Sequence, residues 1–268
     1  MRILINIVST VDAVRSPEWG HKLRGRIWGA LDGTEYDYRH ELDEPPGFVT
    51  SSPLPYGDVR EGEKRVVLIA SPDEGLLDHV ADDLEDDPTL HVGEWSLDVL
   101  SVHRRRVDVG DPGTRGALET VTGVFVSFPP RKFEELGLDR HLTDEQMNSG
   151  ERCFWRREYG NGILFDALES NLDRKHRLFK PEHLAGPSDV PGRLFERYEL
   201  LKTYPRPVTL TEGVEHTLIM SKWRLGFEVR DQDHRRHLNL ALSCGLGERN
   251  ALGLGFVDLA DAPIGAGV

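Results

Sequence analysis

Residues 244–257 read CGLGERNALGLGFV, two Gly-Leu-Gly triplets around a short polar span. Glycine admits positive φ and removes side chains, so such a stretch either packs tightly or brings its peptide groups close to something else. Two nucleotide-binding motifs are excluded. The dinucleotide fingerprint needs a third glycine where Asn250 stands, and the phosphate-binding loop needs Gly-Lys followed by Ser or Thr, which is missing here. Element order excludes both again, because each motif runs from a strand into a helix N-terminus. Here Leu238, Ala241 and Leu242 share one face of a helix ahead of the glycines, and the strand-like LGFVDLA at 254–260 follows them. The macrodipole therefore points the wrong way. Two readings stay open: a tight helix-to-strand turn, or a nest in which Gly245, Gly247, Gly253 and Gly255 let backbone amides converge on phosphate, with Arg249 and Asn250 adding hydrogen bonds.

Upstream, the pattern is that of a mixed fold. RILINIV at 2–8 predicts a strand, and a helix follows with Ser16 as N-cap, Pro17 at its first position, Leu23, Ile27 and Leu31 as its apolar stripe, and Gly33 as its stop. Strands are expected at 47–54 and 64–71, a helix over 71–87 with Leu76, Leu77, Val80 and Leu84 at helical spacing, and a strand over 95–106. The order βαββαβ is the ferredoxin-like plan. After a linker near 108–116 it begins again, with strands at 119–128, 198–210, 216–229 and 254–260 and helices at 160–179 and 234–243. The expected fold is α+β, two tandem ferredoxin-like halves at 1–112 and 113–268.

The 268 residues carry 33 basic and 46 acidic side chains, a net charge of −13. Only seven of the bases are lysine. An acidic surface suits solubility in a very salty cytoplasm, where screening shortens electrostatic reach to about 3 Å at 1 M. The balance argues against an ordinary nucleic-acid binder, yet bases cluster at Lys22, Arg24 and Arg26, at 103–106, at 174–177, and at 234–237, which includes Arg235 and Arg236. No apolar run approaches the roughly 20 residues of a membrane span, and the first ten residues are too short for a signal peptide, so no membrane partner and a cytoplasmic location are expected. Cys153 and Cys244 lack partners at metal-ligand spacing. Neither a metal nor a cofactor is expected.

The paired triplets around Glu248-Arg249-Asn250, set before the last strand of two tandem halves, resemble the CRISPR-associated endoribonucleases of the RAMP superfamily, and among them the repeat-processing member numbered six. HKLRGRIWGAL at 21–31 resembles that family's first helix. The resemblance implies metal-independent cutting of CRISPR repeat RNA by its own 2′-hydroxyl, leaving a cyclic phosphate and a 5′-hydroxyl, with possible membership of a surveillance complex. It implies His40, shortly after the first helix, as general acid or base, with His21 as a second candidate. It also implies RNA contacts from the glycine loop (Gly245, Gly247, Arg249, Asn250, Gly253, Gly255), from Arg235 and Arg236, and from Lys22 and Arg24. The chain departs from the family where some members carry a tyrosine and a lysine: Trp28 takes the aromatic place, and Pro45, Pro46 and Gly47 take the other. Tyr36, Tyr38, Ser51 and Ser52 are the substitutes within reach. Two other functions compete: a non-catalytic subunit that holds guide RNA, and an enzyme acting on a small anion.

Overall fold

The computed structural model describes residues 1–41, 44–183, 185–211, 214–261 and 264. Its first half runs β1 (Arg2–Ser9), α1 (Trp19–Leu31), β2 (Val49–Thr50), β3 (Lys64–Ala70), α2 (Glu74–Asp86), β4 (Thr89–Val92) and β5 (Trp95–Arg105). These strands form one sheet in the order β2-β3-β1-β5-β4, antiparallel at every pairing. Period-two alternation puts Ile3, Ile5 and Ile7 on one face, each no more than 1% exposed, beneath Leu23 and Ile27 of α1 and Leu76, Leu77 and Val80 of α2. Each such side chain contributes about 1.5–3 kcal/mol by leaving water.

The second half repeats the plan with β6 (Arg115–Thr120), β7 (Ser127–Phe128), α3 (Asp144–Asn148), β8 (Cys153–Phe154), α4 (Asn161–Phe179), β9 (Arg197–Thr211), β10 (Val214–Glu228), α5 (Gln232–Cys244) and β11 (Val257–Leu259). Its sheet order is β11-β6-β10-β9, while β7 and β8 form a separate two-stranded ribbon. In both sheets the first strand lies between the third and the last of its βαββαβ unit, so the two ferredoxin-like halves share one topology.

Several local expectations change. Helix α1 starts at Trp19 rather than at Pro17; its N-cap, Glu18, makes no side-chain cap, and the Ser16 hydroxyl instead accepts from the Glu18 amide at 3.1 Å. The strand expected over 47–54 shortens to Val49–Thr50 plus a bridge at Leu54, because Pro53 and Pro55 interrupt the run of donors. The extra strand β4 adds an edge to the first sheet that the repeating pattern did not foretell. The 119–128 run divides into β6 and β7, with Val121 and Thr122 turning aside to donate to the Phe256 carbonyl.

The halves meet through a small apolar cluster of Val49, Leu68, Ala70 and Phe256. Beside it, Arg2 of β1 is buried, its guanidinium 2.7 Å from Asp258 of β11 and stacked 5.2 Å from the Phe256 ring centroid. The first and last strands of the chain are thereby clasped together.

Candidate nucleic-acid interface

The glycine loop is a wedge between the halves. Helix α5 ends at Cys244; Gly245, Gly247, Gly253 and Gly255 all have φ between 68° and 81°, and a 3-10 turn at Asn250–Leu252 sits between the triplets. Space is as restrictive as φ. A Cβ on Gly255 would stand 1.9 Å from the Leu246 carbonyl oxygen, one on Gly247 2.5 Å from that of Phe125, and one on Gly245 2.8 Å from that of Gly255. Gly253 has room around it and is required only by its backbone angle.

This corrects the open nest that the sequence suggested. The amides of Leu246, Glu248 and Gly255 donate to Gly255, Phe125 and Gly123, so much of the loop's bonding turns inward. Asn250 is not a tip residue: it is 8% exposed, and its Nδ2 donates to the carbonyls of Leu246 and Leu254 at 3.1 and 2.9 Å. Beneath it lies Lys175 of α4, whose Nζ donates to Asn250 Oδ1 at 2.7 Å and to the carbonyls of Cys244, Gly245 and Gly247 at 3.3, 2.9 and 3.1 Å. Burial pulls the Lys175 ammonium down to about 8, so it is still charged at neutral pH. Sequence reasoning placed Lys175 in a solvated basic run; the sign it missed was spacing, since Leu164, Leu168 and Leu172 form an apolar stripe on α4 and Lys175 is the next position on that face.

The surface that the loop does offer is Glu248 and Arg249. Arg249 is exposed and occupies the left-handed region at φ 60°, where a non-glycine residue is uncommon. Helix α1 crosses this point so closely that a Cβ on Gly20 would meet the Leu252 carbonyl oxygen at 2.2 Å. One turn on, Arg24 lies near enough to Arg249 that, after burial, the second guanidinium is the cause that lowers its pKa. Among the described residues neither arginine has an ion-pair partner. Two facing cations on a protein of net charge −13 form a place where an anion lowers the energy. His21 is three residues before Arg24 on the same helix, on an adjoining part of its surface, and its Nδ1 is buried without a partner among the described residues. His40 falls in the 3-10 turn Asp37–Glu41 that follows α1, and its side chain lies outside the described part.

Other expected contacts are already occupied. Arg235 pairs with Asp108 and Asp111 at 3.0 and 2.9 Å, and Arg236 with Asp233 on its own helix, so these two are tied to carboxylates rather than held free for RNA. Arg104 is bound by Asp78, Asp82 and Glu85 of α2, Arg106 by Glu74, and Arg26 by Asp83. Lys22, half-buried on α1, donates its amide to Glu18 as a helical residue should. Of the substitutes for the missing tyrosine and lysine, Tyr36 donates to Asp73 at 3.0 Å and is pushed up to about 12 by burial, which leaves it protonated at any physiological pH. Ser51 is buried and accepts from the Leu68 amide, Ser52 accepts from Arg206, and Tyr38 is 60% exposed.

A family model described as CRISPR associated protein Cas6, C-terminal, matches residues 145–259. A protein of Haloferax mediterranei named CRISPR-associated endoribonuclease Cas6 is 41% identical over 261 residues, which cover 97% of this chain and 94% of that one. Two solved structures, one described as CRISPR associated protein Cas6 and one as an RAMP protein binding different RNA substrates, superpose with TM-scores of 0.68 at 17% and 16% identity. The superpositions cover 97% of this chain and 99% and 100% of those chains.

Proposed function

The chain belongs to the Cas6 family of CRISPR-associated endoribonucleases, and we propose that it cuts the repeat RNA of a CRISPR precursor transcript by attack of the ribose 2′-hydroxyl on the adjacent phosphate. The products are a 2′,3′-cyclic phosphate and a 5′-hydroxyl. The observation that carries this reading is identity of 41% along 97% of the chain to a named endoribonuclease, combined with Arg24 and Arg249, which have no ion-pair partner among the described residues, where α1 meets the glycine loop.

In this mechanism the nucleophile belongs to the substrate, and the protein supplies alignment, charge stabilisation and proton transfer. The Arg24 and Arg249 guanidiniums hold the scissile phosphate and offset the charge that grows on it in the phosphorane. Two planar forks suit that task better than point charges. His40 carries the proton, to the leaving 5′-oxygen or from the 2′-hydroxyl, a contribution of about 10² to 10⁴ in rate. His21, beside the arginines on α1, is the second group able to do so. The buried Lys175–Asn250 core of the loop keeps the Arg249 end in place. The acidic surface, and the Haloferax relative, fit a cytoplasm of high salt, where release of counterions adds little to RNA affinity and hydrogen bonding adds more.

Incubation with repeat RNA in concentrated potassium chloride and EDTA tests this. A cut ending in a cyclic phosphate, abolished by His40→Ala with binding retained, is the expected result. Binding without any cut would make the chain a guide-RNA-holding subunit, and cleavage that needs a divalent ion would overturn the mechanism.

A further inference from the structure

Lys175 is 3% exposed, and among the described residues it has no ion pair. Dipoles meet its ammonium instead: the carbonyls of Cys244, Gly245 and Gly247 and the amide oxygen of Asn250, at 2.7 to 3.3 Å. Glu248 acts on it from farther off and is itself held by the Ser127 amide and hydroxyl. Cys244 and Gly245 close the last turn of α5, where unpaired carbonyls and the negative end of the macrodipole gather. Such an oxygen cage is what a bare monovalent cation takes in place of its hydration shell. Burying an ammonium costs far more than burying a methionine of similar length, so filling space does not account for a lysine here.

The consequence falls on Arg249. It adopts φ 60° and ψ 33°, and among the described residues it is the one non-glycine with positive φ. An arginine keeps such a conformation only where its surroundings over-determine it. They do so from both sides. Before it, the Glu248 amide donates to the Phe125 carbonyl at 2.9 Å. After it, the buried Asn250 accepts from Lys175 through Oδ1 at 2.7 Å, and its Nδ2 spans the carbonyls of Leu246 and Leu254. Without the ammonium, that amide oxygen and three carbonyls face one another with no donor between them, and the loop beneath Arg249 loses its anchor. A return to negative φ turns the Cα–Cβ bond of Arg249 elsewhere, away from the place where its charge acts on Arg24.

We propose that the carboxyl end of α5 and the glycine loop form a cation-binding cradle, filled by the Lys175 ammonium, and that its occupancy by positive charge sets Arg249 against the scissile phosphate. Lys175 is thus a positioning residue: it touches no substrate and acts through Arg249. The inference rests on the reading of the chain as an RNA-cleaving enzyme, and it assigns control of that site to a charge buried beneath the loop.

The test uses the full chain and repeat RNA under single turnover at neutral pH, with tetramethylammonium chloride as the salt because that ion is too large for the cradle. Lys175→Ala removes the ammonium and leaves a channel, whereas Lys175→Met removes the charge and fills the channel. Each is expected to slow cleavage about 100-fold, the scale of misplacing one group by about 1 Å, with a smaller loss of RNA affinity. Propylammonium completes the side chain that Lys175→Ala truncates, and it is expected to restore cleavage to that variant but not to Lys175→Met. No rescue, or equal rescue of both, would overturn the cradle. A cycle with Arg249→Gln separates positioning from stability: the Lys175→Ala/Arg249→Gln double variant is expected to be no slower than Arg249→Gln alone. Losses that multiply would overturn the proposal. Should Lys175→Ala fail to fold by circular dichroism, Asn250→Ala, which keeps the lysine and its three carbonyls, takes its place in the cycle with the same two outcomes. A wild type that binds repeat RNA without cutting it would instead overturn the nuclease reading. The cycle is then read in RNA affinity, where non-additive losses support the cradle on their own and additive losses refute it.

Discussion

The two halves solve one topological task in different ways. In each, the chain leaves the second helix and must return to a last strand that lies beside the first. After α2 it does so through the surface hairpin of β4 and β5, turning at Gly93 with φ 64° and open space around it. After α5 it does so through residues 245–256, almost all buried, which leave only three residues for β11. The hairpin widens its own sheet, whereas the glycine loop widens nothing and touches much around it, including α1, β2, α4 and the segment 121–125 between β6 and β7. The same slot in the fold is therefore free to become either a sheet extension or an interdomain wedge, and glycine content alone does not tell them apart; crowding does.

The comparison breaks most readily at its tightest point. Gly255→Ala forces a Cβ against the Leu246 carbonyl and is expected to destabilise by at least about 3 kcal/mol, while Gly93→Ala, at a similar φ but in open space, costs about 1 kcal/mol. Thermal unfolding of the two variants checks this, and equal losses would deny that the loop is a wedge.

Lys175→Met removes the donor that four oxygens share, and its expected cost is about 2–4 kcal/mol by chemical denaturation. The pH dependence has a definite sign. Folded Lys175 titrates near 8 and an unfolded lysine near 10.5, so between these values the unfolded chain holds a proton that the folded chain has released. Its contribution to stability therefore rises from pH 8 to pH 10.5, and the Lys175→Met variant should lack that rise. Asn250→Ala is a smaller change of about 2 kcal/mol, and in a double-mutant cycle it should couple to Lys175→Met because the two share the 2.7 Å bond.

At the small end, Arg249→Gln is expected to alter stability by less than about 0.5 kcal/mol, since Arg249 is exposed and unpaired among the described residues. Its RNA affinity should fall, with a salt slope shallower by about 0.7. A stability loss comparable to that of Gly255→Ala would place Arg249 in the wedge rather than on the surface.

The architecture was legible because its signals are periodic. Ile3, Ile5 and Ile7 alternate, the stripes of α1 and α2 recur at helical spacing, and the βαββαβ order appears twice. The site was legible only in part. The paired glycines marked the loop correctly, but their crowding against Leu246 and Phe125 depends on distant chain and leaves no local trace. Charge runs misled for a related reason: Arg235 and Arg236 find Asp108, Asp111 and Asp233, and Arg104 finds α2, and such pairings are invisible in a string of letters.

The clasp between Arg2 and Asp258 has a consequence for how the protein comes into being. A ribosome releases the first strand long before its last partner exists. The earlier half can close its own sheet while synthesis continues, yet Arg2 stays without its carboxylate, and the seam between the halves without Phe256, until the final strand emerges from the exit tunnel. Closure of the seam between the halves is thus tied to synthesis of Phe256 and β11, even though α1 is by then already packed on the first sheet.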